Sequence, residues 1–151
     1  MRKTFLPLLL LGLLCAGAGD SFAQCTCAAE YRDITPLKEF KLADVVFVGK
    51  VIEIKESPRD KDNRYVETVK FEVGKAWKQD LERIVTITNT IRGCVKGFEE
   101  GEEWLVYAHQ RRDGTLGTGC CCSRTGRLAK AAEDLREFEA EGLQPTKIQQ
   151  P

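Results

Sequence analysis

Cysteines are the residues of this chain with the clearest capacity for chemistry. Six of the seven lie after residue 23. They are Cys25, Cys27, Cys94, Cys120, Cys121 and Cys122. Thiolates in this number could form disulfides or bind a soft ion such as Cu(I) or Zn²⁺. Zinc sites more often combine Cys-x₂₋₄-Cys pairs with histidine or a second pair, a spacing that this sequence lacks.

The first 23 residues resemble a secretion signal. Arg2 and Lys3 precede an apolar stretch at 5–15, and Ser21-Phe22-Ala23 fits a small-x-small cleavage site. The apolar stretch is too short for a transmembrane helix, and we expect no transmembrane segment. We therefore predict a secreted protein, extracellular or periplasmic.

Export favours disulfides over a metal site. An oxidising compartment and six cysteines suggest three disulfides, with 15 possible pairings. Adjacent cysteines could bond only through a strained ring, so bonds within 120–122 are disfavoured. Some members of the triplet Cys120–Cys122 must then form disulfides with Cys25, Cys27 or Cys94.

Other residues give little indication of catalysis. His109 is the sole histidine, lies in a predicted strand and is expected to face solvent. The acidic run of Glu99, Glu100, Glu102 and Glu103 is expected to be a solvated loop, and no Gly-x-Ser-x-Gly motif is present. We predict no enzyme activity and no cofactor. Because the formal net charge is zero, nothing predicts a nucleic-acid partner.

Hydrophobic patterning predicts a mainly β domain. Alternating or β-branched runs predict five strands, at 44–56, 65–78, 83–90, 103–110 and 115–120. Five short strands between two helices fit a small closed barrel of the OB-fold type, with a Greek-key path, stapled by disulfides. The expected organisation is a signal at 1–23, a domain at 24–142 and a flexible tail at 143–151.

The two predicted helices flank these strands. Thr35 and Pro36 fit the N-cap and first position of a short helix whose Leu37, Phe40 and Leu42 would face inward. Apolar residues at helical spacing predict a second helix within 126–142, with Gly142 as its C-terminal cap.

Several segments together resemble the inhibitory domain of the tissue inhibitors of metalloproteinases, within the netrin-module superfamily. The resemblance covers about residues 25–138. It is carried by "CTC" at 25–27, "ADVVFVGKV" at 43–51, Trp77, "GC" at 93–94, "FEEGEEWLVYA" at 98–108, the late cysteines and "RLAKAAEDL" at 127–135. The larger second half of the animal inhibitors has no counterpart in this sequence.

This resemblance implies a fold, a pairing and a mechanism. The fold is an OB barrel, Cys25 would bond Cys94, and Cys27 would bond Cys120, Cys121 or Cys122. The family's third early cysteine is absent, so two of the triplet lack obvious partners.

The implied mechanism uses the first residue of the mature chain. The amine and carbonyl of an N-terminal Cys25 would chelate the zinc of a partner protease and displace its water. Thr26 would enter the specificity pocket, with Cys27 behind it. The loop at Gly93 and Cys94 would form a second contact surface.

The identity of the mature N-terminus separates the functional hypotheses. Cleavage after Ala23 would leave Gln24 ahead of Cys25, whose nitrogen would then be an amide and a poor ligand. Cleavage after Gln24 would restore the family terminus. The alternatives to a metalloprotease inhibitor are a non-inhibitory netrin-type module that binds an extracellular protein or polysaccharide, and a thiol or metal protein that uses Cys120–Cys122.

Overall fold

The computed structural model describes Cys27 and residues 29–92, 95–119 and 122–150. Within these residues the chain forms two α-helices, two 3₁₀ turns and eight strands. The helices are α1 (Pro36–Leu42) and α2 (Ala132–Ala140), and the 3₁₀ turns are Ala29–Tyr31 and Leu128–Lys130. The strands are β1 (Val45–Glu56), β2 (Tyr65–Trp77), β3 (Leu81–Glu82), β4 (Ile84–Ile91), β5 (Glu103–Gln110), β6 (Leu116–Thr118), β7 (Gly126–Arg127) and β8 (Ile148–Gln149). Neither helix in these ranges has the length and apolar character needed to span a membrane.

Five strands close into a barrel. Strand β1 pairs with β2, β2 with β4, β4 with β6, β6 with β5, and β5 returns to β1. The β4–β6 pairing is parallel and the other four are antiparallel. This closed order, with one short helix before it and one helix after it, confirms the predicted OB-like barrel.

Strand β1 pairs with both β2 and β5, and its pairing with β2 is irregular at two places. Its register against β2 shifts between Val48 and Gly49 and again between Val51 and Glu53. A Cβ atom on Gly49 would lie 3.1 Å from the Phe47 ring and 3.2 Å from the Glu72 carbonyl oxygen. Glycine at this bulge therefore allows the close approach that barrel closure requires.

We expect Gly49→Ala to lower the free energy of unfolding by about 1–3 kcal/mol, because the added methyl must displace the Phe47 ring or the backbone of β2. Gly74→Ala is the matched control, since its Cβ would come no closer than 3.9 Å to the Val48 oxygen. Urea unfolding of both variants measures the difference. Equal losses would contradict a steric role for Gly49.

The barrel encloses one core and carries a second core on its outer face. Inside, the rings of Phe47, Phe71, Phe98 and Trp104 form a chain with successive centroids 5.4, 5.4 and 4.5 Å apart. Outside, Phe138 of α2 packs on Trp77, with centroids 5.3 Å apart. Strand β5 serves both cores, and its residues from Trp104 to Ala108 are therefore all buried.

Helix α1 begins as predicted. Thr35 is its N-cap, and the Thr35 hydroxyl accepts a hydrogen bond from the Lys38 backbone N–H at 3.3 Å. Leu37 and Phe40 pack against the outer core. The prediction that Leu42 faces inward is wrong, since it is 44% exposed, and Glu39 is fully buried instead. The inward stripe runs through positions 36, 39, 40 and 43, which puts residue 42 on the solvent side.

Helix α2 is shorter than predicted. Gly126 and Arg127 pair with β5, and a 3₁₀ turn follows them, so the α-helix begins only at Ala132. It ends near Gly142 as expected, where the Leu143 N–H donates to the Phe138 carbonyl at 2.9 Å.

Residues 143–150 of the predicted tail are hydrogen-bonded to the domain. The Thr146 N–H donates to the Ala76 carbonyl at 2.8 Å, and the Lys147 N–H donates to the Asp80 carboxylate at 3.0 Å. Strand β8 then runs parallel to β3. The segment has no strong strand pattern of its own, and it is held by partners distant in sequence.

Candidate functional site

A disulfide attaches the N-terminal segment to the barrel. Cys27 bonds Cys122, with their Cα atoms 5.5 Å apart and a sequence separation of 95. Cys122 lies in the loop between β6 and β7. The family resemblance allowed Cys120, Cys121 or Cys122 as the partner of Cys27, and the structure shows the bond to Cys122. Cys122 is therefore not available as a free thiol or thiolate ligand.

The loop after Cys122 is held by the buried carboxylate of Glu39. This carboxylate accepts hydrogen bonds from the Ser123 hydroxyl at 2.5 Å and from the Arg124 backbone N–H at 2.6 Å. Burial raises the pKa of Glu39, while the bonds from Ser123 and Arg124 and the nearby Lys96 charge oppose the rise. Helix α1 thus fixes the two residues that follow the disulfide.

Lys96 joins the same loop to the segment after Cys94. Its ammonium donates to the carbonyl oxygens of Ser123 at 2.9 Å and Thr125 at 3.1 Å. Burial lowers the pKa of Lys96 to about 8, and the charge of Glu39 opposes this. One partly buried cation therefore links the loops that follow two of the cysteines.

Arg124 anchors the loop to α2 and β5. Its guanidinium contacts both carboxylate oxygens of Asp134, at 2.9 and 2.8 Å, and also donates to Glu133 and to the Ile34 carbonyl. The Tyr107 hydroxyl donates to the same Asp134 carboxylate at 2.5 Å. Burial, and then the bond to Asp134, raises the pKa of Tyr107. The bidentate contact between Arg124 and Asp134 fixes the orientation of the guanidinium as well as its distance from the carboxylate.

Thr125 attaches the loop to β5 through its side chain, which takes the place of a backbone partner for Tyr107. Its hydroxyl accepts from the Tyr107 N–H at 2.9 Å and donates to the Tyr107 carbonyl at 3.2 Å. The Ser123 hydroxyl accepts from the Thr125 N–H at 3.0 Å. The loop is therefore bound to β5 before the regular pairing of β7 begins.

These side chains form one connected group, here called the edge network. Its members are Glu39, Lys96, Tyr107, Ser123, Arg124, Thr125 and Asp134. It brings together α1, the segment after Cys94, the loop after Cys122, β5 and α2. The network therefore connects the loop that follows Cys122 to four other segments of the fold.

Sequence reasoning did not identify this network. Position 39 does fall on the inward stripe of α1, but an acidic residue in a short helix is ordinarily assigned to solvent. Lys96 and Arg124 have no local signal, because the carbonyl partners of Lys96 lie 27 and 29 positions away and the side-chain partners of Arg124 lie 9 and 10 positions away, beyond one or two helical turns.

Most of the sequence-predicted contact residues lie outside the described residues. These are Cys25, Thr26, Gly93, Cys94, Cys120 and Cys121, together with Gln24 and the predicted signal at 1–23. The predicted Cys25–Cys94 bond is among them and stays a prediction. The described residues nearest to these positions in sequence are Cys27, Arg92, Val95, Gly119 and Cys122.

His109 is not the solvent-facing residue that the sequence suggested. Its side chain is partly buried, and its Nε2 atom is buried without a hydrogen-bond partner in the described part of the chain. The ring packs edge-on against Tyr31, with centroids 6.3 Å apart. The 3₁₀ turn that precedes α1 therefore packs on His109, although the alternating strand pattern alone predicts that this residue is exposed to solvent.

The acidic run is only partly a solvated loop. Glu102 accepts from the Arg127 guanidinium at 2.7 Å and from the Trp104 indole at 3.2 Å. Glu99 pairs with the same arginine at 2.9 Å, and Glu100 accepts from the Ile54 N–H at 3.1 Å. These carboxylates hold the loop 98–102 against β1 and β7. No group of three or more potential metal ligands occurs among the described residues.

The fold and site together define a class of protein. It is a closed OB-like barrel whose N-terminal segment is disulfide-bonded to a loop that a buried polar network holds in place. No protein-family model matches the chain, and no curated protein matches it.

Lys96 provides a test of the network through pH. In an unfolded chain a lysine has a pKa of about 10.4. Because burial lowers the folded-state pKa of Lys96 to about 8, the unfolded state binds more protons between these values, and stability rises with pH. We expect the free energy of unfolding of the wild type to gain about 1–2 kcal/mol over Lys96→Met between pH 7.5 and 9.5.

Denaturant unfolding at several pH values checks this expectation. Lys61→Met is the control, because it removes the same charge from an exposed turn. A wild-type advantage over Lys96→Met that stayed constant with pH would show that Lys96 titrates like an exposed lysine.

Proposed function

We propose that this chain is an exported inhibitor of zinc metalloproteases, similar to the tissue inhibitors of metalloproteinases. The amine and carbonyl of an N-terminal Cys25 would chelate the protease zinc. The observation that supports this most is the Cys27–Cys122 bond on a loop held by the edge network. Cys27 is two residues from Cys25, so an anchored point lies close to the proposed chelating group.

The anchor matters because binding orders the N-terminal segment. The Cα of Cys25 can lie at most about 7.6 Å from that of Cys27, at 3.8 Å per residue. Each side chain that binding immobilises costs about 0.5–1.5 kcal/mol, and a covalent anchor removes part of that cost beforehand. The anchor therefore favours affinity without further contacts.

The chemistry needs a free amine at Cys25. A catalytic zinc keeps one position open for water or substrate and can expand to five ligands, so an amine and a neighbouring carbonyl could both bind once the water has left. An α-amino group has a pKa of about 7.7–8.0, so its neutral form is accessible near pH 7.5. An amide nitrogen following Gln24 lacks this basic lone pair.

Two versions of the oxidised protein test the proposal, one starting at Cys25 and one at Gln24. Both are titrated against a panel of zinc metalloproteases. We expect the Cys25 form to inhibit at least one protease, and the Gln24 form to bind it at least 100-fold more weakly. Equal unfolding midpoints would show that the versions differ only at the terminus.

Intact mass of the naturally secreted protein shows which version exists. A chain starting at Cys25 supports the proposal. A Gln24 or pyroglutamate start, or a Cys25 form that inhibits no protease in the panel, contradicts it.

The cleavage site after Ala23 favours a second candidate. This is a netrin-type binding module that engages an extracellular protein or polysaccharide without inhibiting a protease. Affinity capture from extracellular material distinguishes the two. Recovery of a metalloprotease alone would count against the module, and recovery of another partner by the Gln24 form would favour it.

A further inference from the structure

A pocket of about 150 Å³ opens where β4 ends, beside β6 and the segment 95–97. Three cationic side chains line it, those of Arg92, Lys96 and Arg111. Asn89 and Thr118 contribute polar surface. This group of residues is here called the basic pocket.

Its positive charge is incompletely neutralised. No carboxylate occurs among the described lining residues, and neither Arg92 nor Arg111 forms an ion pair with a carboxylate in the described ranges. The Asp113 carboxylate accepts from the Thr115 N–H at 3.0 Å, and the nearby Arg111 charge helps to lower its pKa without a direct ion pair. Lys96 likewise has an acidic neighbour, Glu39, in the edge network.

The polar wall of the pocket is held in place from behind. The Asn89 side-chain oxygen accepts from the Thr118 N–H at 3.0 Å. The Asn89 side chain also hydrogen-bonds the buried Glu67. Glu67 thus lies behind Asn89 and is hydrogen-bonded to it. Burial raises the pKa of the Glu67 carboxyl, which disfavours a negative charge behind the pocket.

The Arg111 guanidinium occupies the space beside Gly117 that a side chain at this position would fill. A methyl group on Gly117 would lie 2.5 Å from Nη2 and 2.7 Å from Cζ of Arg111. The guanidinium therefore lies against the backbone of β6, in space that any side chain at 117 would fill. The guanidinium forms no direct ion pair with a carboxylate of the described residues, and its planar set of N–H donors suits an anion with several oxygens.

We propose that the basic pocket binds a tetrahedral oxyanion of the sulfate or phosphate class, with Arg92 and Arg111 as its main ligands. The three cations approach from three separate segments. A tetrahedral anion directs its oxygens outward in several directions, whereas a carboxylate has only two oxygens in one plane. The volume has room for several water molecules, and so for an ion of this size.

Amide NMR of the full secreted chain tests the site. Inorganic sulfate, inorganic phosphate and acetate are titrated separately at constant ionic strength. We expect saturable shifts at the Asn89 and Thr118 amides with sulfate or phosphate, and at least five-fold weaker binding of acetate. Shifts that never saturate, or equal binding of acetate, would overturn the proposal.

Variants separate a site from general charge. Arg111→Gln and Arg92→Gln should each weaken binding at least five-fold. Arg112→Gln, which removes the same charge from an adjacent exposed residue, should change it less than two-fold. An equal loss in all three variants would overturn the proposal. Arg92 is exposed, so its variant stays informative if Arg111→Gln does not fold.

Esters identify the source of the anion. Methyl sulfate and a monosaccharide sulfate are compared with inorganic sulfate, and phenyl phosphate with inorganic phosphate. Tighter binding of an ester assigns the pocket to an anionic group on a larger molecule, and tighter binding of the inorganic ion assigns it to a free anion. Both results support an oxyanion site, and the test does not depend on protease inhibition.

Discussion

Glu39→Ala is expected to lower the free energy of unfolding by about 3–4 kcal/mol at pH 7. The substitution leaves the Ser123 hydroxyl and the Arg124 N–H without their acceptor. It also removes the carboxylate that faces the partly buried Lys96. A buried charge or polar group that loses its partner keeps its desolvation penalty, so the loss should exceed that of an ordinary hydrogen bond.

Two further variants isolate the cause. Glu39→Gln keeps the shape and one carbonyl acceptor, and should cost about 1–2 kcal/mol. Glu139→Ala removes an exposed acid from α2 and should cost less than about 0.5 kcal/mol. Denaturant unfolding gives the free energies, and amide hydrogen exchange should show lost protection at Arg124. A Glu39→Ala value close to that of Glu139→Ala would show that the network does not hold the loop.

The barrel was predictable because its strands have a local pattern. In β2, Tyr65, Val69, Phe71 and Val73 alternate with more exposed residues and are all buried. A buried strand face is mostly apolar at every second position, here with Glu67 as the buried exception, so the sequence still records which face is inside. Strand number and the flanking helices then restricted the fold to a small closed barrel.

Elements that depend on distant partners were not predictable. Gly126 and Arg127 fit the helical pattern that follows them, yet they pair with β5. Strands β3 and β8 have two residues each and owe their form to their pairing with each other. Such short segments gain their hydrogen bonds only after the barrel exists, so their sequences carry little information.

The buried charges at the site could not be predicted from the sequence for a related reason. Glu39 and Asp134 are buried only because Ser123, Arg124 and Tyr107 bring hydrogen bonds to them. A sequence states neither which acid is buried nor which donor reaches it. Likewise the family resemblance implied that Cys27 bonds one of the triplet, but the choice of Cys122 depends on how the following residues attach to α1.

Replacing Cys27 and Cys122 together by alanine is expected to cost about 3–4 kcal/mol of unfolding free energy. The bond closes a sequence separation of 95 residues. Loops of this length lose much entropy in the unfolded state when they are cross-linked, which destabilises the unfolded chain relative to the folded one. Any further disulfide in the same span would already restrict the unfolded state, so the upper end of the range applies if Cys27–Cys122 is the only long-range bond.

Reduction supplies the matched control for this variant. In a thiol reductant both proteins lack every disulfide, so their unfolding free energies should converge to within about 0.5 kcal/mol. A difference that persisted under reduction would assign the loss to the packing of the two side chains. Equal stability of the two proteins when oxidised would show that the bond contributes no folding free energy.

The same variant also connects stability to the proposed inhibition. In the version that starts at Cys25, the edge network should still hold the loop at Ser123 and Arg124, because none of its members is changed. The N-terminal segment, however, loses its covalent attachment to that loop and must be ordered on binding. We expect at least ten-fold weaker inhibition at a temperature where the variant is fully folded. Unchanged inhibition under those conditions would mean that the anchor does not position the terminus.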